Sequence, residues 1–224
     1  MEHLLKYSKP ASHFIEALVL GNGSLGASVY GDIACERISL NHDTFWSGTP
    51  KKHLHEGAYE ALTEASAFIA QGEIAEGQQI IEERFHANFS QAFLPVGNLF
   101  IQAKHSDCTS YTRTLSLDDA ISRVEYTTAF GKAKREYFVS YPAKAMFIRL
   151  TSDFREDYTL SFDTQMKHHS FFAEGAVLSM RGRAPYISTR AVTSLRARAN
   201  RSSGMGMRKP FPSPQPCALS AMAK

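Results

Sequence analysis

The chain has 224 residues, 43% of them hydrophobic and 21% charged, which is long and apolar enough for a sizeable core and excludes global disorder. Its formal charge of +3 conceals a split, because Glu174 is the last acidic residue and residues 175–224 carry nine basic side chains with none acidic. No apolar run approaches the roughly 18 residues of a membrane span and residues 1–10 hold no signal-peptide core, so the sequence as written predicts a cytoplasmic protein with no membrane partner.

Three short apolar runs open the chain at about 17–20, 24–30 and 33–40, punctuated by Gly21-Asn22-Gly23 and Gly31-Asp32. Asn-Gly and Gly-Asp tolerate the positive φ of tight turns, so these runs are predicted to be strands joined by hairpins. Cys35 lies in the alternating third run and is expected to be buried as a small hydrophobe. With Cys108 and Cys217 it makes three widely spaced thiols, without C-x-x-C or zinc-like spacing, so reduced cysteines are expected and no metal site. Residues 41–52, NHDTFWSGTPKK, combine turn formers with the only tryptophan and are read as a loop with an aromatic anchor.

Over residues 56–85 the period changes. Ala58, Leu62, Ala65 and Ile69, then Ile74, Ile80, Ile81 and Phe85, recur at helical spacing, and Gly72 is placed to end the first of two helices. The β pattern then returns at about 98–103, 122–129, 134–140, 145–152, 158–164 and 176–181, with a hairpin at Phe130-Gly131-Lys132. Arg135-Glu136 within this stretch reads as paired charges on an exposed strand face. Regular short strands with turn signals at roughly ten-residue intervals indicate a mainly β protein, an antiparallel β-sandwich with a two-helix insertion. Residues 187–224 are rich in Arg, Ser, Ala and Pro and carry a single aromatic, Phe211, so they are predicted to be a disordered basic tail following a domain of residues 1–186.

Several segments, taken together and in order, resemble a known family. They are Leu20-Gly21-Asn22-Gly23-Ser24-Leu25-Gly26-Ala27, then Glu36-Arg37-Ile38-Ser39-Leu40-Asn41-His42-Asp43-Thr44-Phe45-Trp46-Ser47-Gly48, then Leu94-Pro95-Val96-Gly97-Asn98-Leu99. The series continues through Tyr111 to Ala120, Val124-Glu125-Tyr126, Arg135 to Pro142 and Phe147-Ile148-Arg149-Leu150. This pattern is similar to the amino-terminal domain of glycoside hydrolase family 95, the inverting α-L-fucosidases. The resemblance implies a parental enzyme acting on fucosylated glycans, with its acid and base carboxylates in an (α/α)₆ barrel that this sequence does not contain. No catalytic residue is therefore carried over, and the chain alone is expected to be inactive. A free-standing carbohydrate-binding module and a non-functional gene fragment are the alternatives. The resemblance ends near Arg183-Ala184-Pro185-Tyr186, and the acid-free sequence from Ile187 reads as a shifted frame or a truncated gene.

Inverting hydrolysis needs two carboxyl groups roughly 6.5–9.5 Å apart across one bond. Asp118-Asp119 and Glu82-Glu83 are adjacent pairs whose side chains diverge, so both read as solvated charges. The cluster that suits sugar contact is Asn41, Asp43, Thr44 and Trp46, since an indole stacks on a pyranose face and the polar groups match hydroxyls. The competing role, which the residues favour, has Trp46 plugging the sandwich or a domain interface while Asp43 and Thr44 cap backbone amides. Gly21-x-Gly23-x-x-Gly26 fits a dinucleotide fingerprint only in spacing, because a strand follows it where a helix is required, so no cofactor is expected. His53-x-His55 and His168-His169 lack a carboxylate or thiol at fixed spacing and read as loop histidines. The basic tail predicts salt-sensitive attraction to polyanions and no specific nucleic-acid partner.

Overall fold

The computed structural model describes residues 3–48, 56–85 and 91–185. They form two compact units, a β unit of residues 3–46 and 93–185 and a helical unit drawn from residues 47–92. The segment 187–224, predicted to be disordered, lies outside the described residues, as do Cys217 and His53-x-His55.

The β unit holds β1 (Leu4–Tyr7), β2 (Leu18–Gly21), β3 (Leu25–Val29), β4 (Cys35–His42), β5 (Gly97–Gln102) and β6 (Ser110–Ser116). Six more follow: β7 (Ile121–Thr128), β8 (Gly131–Ser140), β9 (Ala145–Ser152), β10 (Thr159–Asp163), β11 (His168–Glu174) and β12 (Val177–Arg183). Two five-stranded antiparallel sheets result, in the orders β1-β6-β7-β8-β9 and β10-β5-β4-β3-β2, and β11 pairs with β12 as a separate ribbon. Alternation along each strand turns one face inward. Leu18, Leu20, Ala27, Val29, Ile38 and Ile101 of one sheet meet Leu115, Val124, Tyr126, Ala133 and Tyr137 of the other in a single apolar core.

Buried charge runs through that core. Arg135 is fully buried, and its guanidinium donates to the Asp32 and Ile33 carbonyls at 2.7 and 2.6 Å and to the Tyr126 hydroxyl at 3.0 Å. Glu36, also fully buried, accepts from the Gly31 amide and the Tyr137 hydroxyl, each at 2.8 Å. Burial pushes the Glu36 carboxyl up to about 7, against the opposing pull of those two donors and of Arg135. Gly31 has φ +81°, and a Cβ there would lie 2.6 Å from both the Arg113 side chain and the Tyr111 hydroxyl, so only glycine fits this corner.

Two expectations are corrected here. Arg135 is not on the exposed face: strand alternation places it inward with Ala133 and Tyr137, while Glu136 faces outward and pairs with Lys134 at 3.0 Å and with Arg149. Cys35 is exposed rather than buried, because the inward positions of β4 are Glu36 and Ile38.

The helical unit contains α1 (Ala58–Ala70) and α2 (Ile74–Ile80), the latter extended by a π-helical turn, Ile81–Phe85. Gly72, at φ +85°, follows α1 and donates to the Ile69 carbonyl, as its placement in the sequence predicts. Arg84 returns to Glu64 of α1 at 2.6 Å. No helix among the described residues is long and apolar enough to cross a membrane.

Candidate functional site: the turn after β4

Strand β4, paired with β3, delivers the candidate residues. In β3 and β4, Leu25 pairs with His42 and Gly26 with Asn41. Asn41, expected in a loop, is the penultimate residue of β4, and its Oδ1 is buried with no hydrogen-bond partner among the described residues. A buried amide oxygen without a donor is uncommon in native folds.

Beyond His42 the chain turns sharply. The Phe45 amide donates to the His42 carbonyl at 3.1 Å and the Trp46 amide to the Thr44 carbonyl at 3.1 Å. His42 Nδ1 lies 2.9 Å from both Thr44 Oγ1 and Asp43 Oδ1, and its Nε2 is 3.2 Å from Ser24 Oγ. Ser24 also donates to Asp43 Oδ1 at 3.1 Å, and the Asp43 amide to the Ser24 carbonyl at 3.0 Å. Asp43 and Thr44 are thus held by Ser24, in the turn before β3, and by His42 of β4, whose Nδ1 also receives the Thr44 backbone amide at 3.3 Å.

Trp46 is fixed at the end of this turn. Its Nε1 donates to the Asp43 carbonyl at 2.7 Å, and its backbone forms an isolated antiparallel bridge with Phe93. The two rings lie 5.2 Å apart at 56°, and each residue remains 45% exposed. A side chain so exposed does not plug the sandwich, which corrects that half of the expectation and leaves the domain-interface role as an expectation. With its indole N–H already satisfied, the ring presents an apolar face beside a second aromatic residue.

The structure therefore gathers Asp43, Thr44 and Trp46 through His42, Ser24 and Phe93, and leaves Asn41 one residue back on the strand. Sequence reasoning missed Ser24 and Phe93 as members of this site. Ser24 was already legible as a turn residue, whereas Phe93, 47 positions from Trp46, carries no local signal.

The adjacent carboxylates stand where solvated charges were expected. Asp118 bonds His3 at 2.9 Å and Asp119 binds Arg123 at 2.6 Å, the latter guanidinium holding Asp119 down at about 2. Glu82 and Glu83 accept from Gln78 and Gln79. No group of three or more His, Cys, Asp or Glu side chains able to hold a metal occurs among the described residues.

Comparison with known proteins gives this architecture its family. The chain is 29% identical over 172 residues to alpha-L-fucosidase 2 of Arabidopsis thaliana, a stretch that covers 74% of this chain and 20% of the relative. It is 30% identical over 164 residues to the probable alpha-fucosidase A of Aspergillus oryzae, covering 70% of this chain and 22% of that protein. The chain thus spans about a fifth of the length of the curated relatives it matches. The family described as glycosyl hydrolase family 65, N-terminal domain, matches residues 5–211, past the point near Tyr186 where the resemblance read from the sequence ends. With its two antiparallel sheets and matched over most of its length, the chain belongs to the glycosyl hydrolase family 65 N-terminal domain family.

Proposed function

We propose that residues 1–186 are the N-terminal β-sandwich domain of a glycosidase of the family 95 type acting on α-L-fucosides, with no hydrolytic activity of their own. The observation that carries this reading is the pairing of an N-terminal-domain family match with two fucosidase relatives aligned over 74% and 70% of this chain. The carboxylates support silence in isolation. Glu36 is sealed in the core, Glu136 is tied to Lys134 and Arg149, and Asp118 and Asp119 are tied to His3 and Arg123. An acid and a base facing one bond across a water-sized gap require carboxylates that are free to reach it. The test is release of 4-nitrophenol from 4-nitrophenyl α-L-fucoside by the purified chain. No turnover above buffer is expected, and saturable turnover removed by substituting a carboxylate would overturn the assignment.

The half-exposed Trp46 and Phe93 pair favours a second reading, direct sugar contact at the turn after β4. Its partner is a fucosylated glycan, bound by ring stacking on Trp46 with hydroxyl contacts to Asn41, Asp43 and Thr44. Titration of the single tryptophan's fluorescence should show a saturable change with a fucosylated oligosaccharide and none with its defucosylated counterpart. Equal responses to both remove fucose from the reading.

A further inference from the structure

The β11–β12 ribbon carries charge that the fold leaves unused. Its register sets His168 opposite Arg183 and Ser170 opposite Arg181. Positions two apart share a face, so His168, Ser170, Arg181 and Arg183 project from one side. On the opposite side Met166 packs against Gly182, where a Cβ would meet its Sδ at 2.5 Å. His168, Ser170, Arg181 and Arg183 are all exposed, and with His169 and Gly182 they border a shallow groove of about 410 Å³.

Neither arginine has a carboxylate within ion-pair distance among the described residues, whereas Arg84, Arg123 and Arg149 each do. Glu174 shares the face but stands four residues along the strand from Ser170, roughly 13 Å away. Arg181 is nonetheless positioned, its guanidinium lying over the Phe172 ring at 5.4 Å. Two like charges held side by side, one of them braced by an aromatic ring, repel each other until an anion is shared between them. Guanidinium groups suit planar or tetrahedral oxyanions because their N–H donors form a rigid fork. A hydroxyl at Ser170 and an imidazole at His168 complete a polar rim. From Glu174 onward no acidic residue follows to neutralise the face.

We propose that the His168, Ser170, Arg181 and Arg183 face of the β11–β12 ribbon binds the oxyanion substituent, sulfate or carboxylate, of an acidic glycan. The choice of a glycan as carrier rests on the glycosidase reading, while the anion site rests on the ribbon alone. Nucleic acid is the less suited polyanion, because this face offers base stacking a single phenyl ring, Phe172, and that ring already faces the Arg181 guanidinium at 5.4 Å.

The test uses the full chain at fixed ionic strength, titrated with dextran sulfate, polygalacturonate, unsubstituted dextran and a single-stranded oligonucleotide. Binding of either acidic polymer and not of dextran is expected, and the better of the two identifies the oxyanion. R181Q/R183Q should weaken that binding about tenfold or more, the loss expected for two charge-assisted contacts. R196Q/R198Q removes the same charge outside the ribbon and should change it less than about threefold. Phe172→Ala leaves net charge untouched and should still weaken binding severalfold by releasing Arg181. Equal losses for the two double variants would mean diffuse attraction by the basic segment and overturn the site, as would an oligonucleotide that outcompetes both glycans or an absence of binding to either. W46A should leave these affinities unchanged, so failure here and failure of fucosylated-glycan binding at Trp46 are read separately.

Discussion

The sandwich interior around Arg135 and the turn around Trp46 use similar residue types to opposite ends. Inside, guanidinium, carboxylate and phenol are all fully buried or nearly so, and their hydrogen bonds go to backbone groups and to one another. At the turn, Ser24, His42, Asp43 and Thr44 satisfy each other locally, and two aromatic faces are left half in solvent. Burial commits polar chemistry to holding the fold, because a desolvated charge without partners is expensive. Local satisfaction at the surface leaves aromatic area available to a ligand. Glu36, the carboxyl pushed up most among the described residues, lies on the buried side of this division.

Substituting Arg135 should break the comparison most severely. R135A leaves the Asp32 and Ile33 carbonyls and the Tyr126 hydroxyl without their donor in a closed interior and removes the positive charge near Glu36, and a loss of about 3–5 kcal/mol is expected in denaturant unfolding. A loss below about 1 kcal/mol would show that water reaches this region and that the interior is not as closed as described.

Glu36 sharpens the contrast through pH. Its folded pKa, about 7, lies above the ordinary carboxyl value of 4.5, so the folded state keeps a proton that the unfolded chain has already released. The corresponding stability is fully present below about 4.5 and is lost as pH rises through about 7. Stability should therefore fall between pH 5 and 8 by on the order of 2–3 kcal/mol from this group, and E36Q should flatten that slope. An identical pH slope in E36Q would assign the dependence to other groups.

The smallest effect on stability is expected at the turn. W46A removes a ring that is already half exposed and should lower stability by only about 1 kcal/mol, while abolishing the fluorescence-independent binding of a fucosylated oligosaccharide measured by calorimetry. Binding that survives with a large drop in melting temperature would return Trp46 to a purely structural role.

The strands that were legible from sequence are β2, β3, β4, β5, β7 to β10 and β12, short apolar or alternating runs bounded by turn residues, together with both helices. Three others were hidden for identifiable reasons. β1 is short and exposed along its length, β11 is exposed at every position, and β6, SYTRTLS, places the buried Arg113 where alternation calls for an apolar residue. Arg113 is tolerated there because it donates to the Glu16 carbonyl at 2.8 Å and lies over the Tyr7 ring at 4.7 Å. At the candidate site, Asp43, Thr44 and Trp46 announced themselves by composition, whereas Phe93 needed the chain to return.

By itself, then, the sequence determined the sandwich class, the helical insertion and the placement of its turns, because hydrophobic period and turn chemistry are local properties. It also carried the motifs of a glycosidase amino-terminal domain. Only the tertiary structure decided which charges are sealed in the core, that Cys35 faces solvent, that Trp46 stands beside Phe93 rather than inside the sandwich, and that Arg181 and Arg183 share a face without a carboxylate. Those outcomes depend on pairing between distant strands and on which face each pairing buries, and no local pattern encodes them.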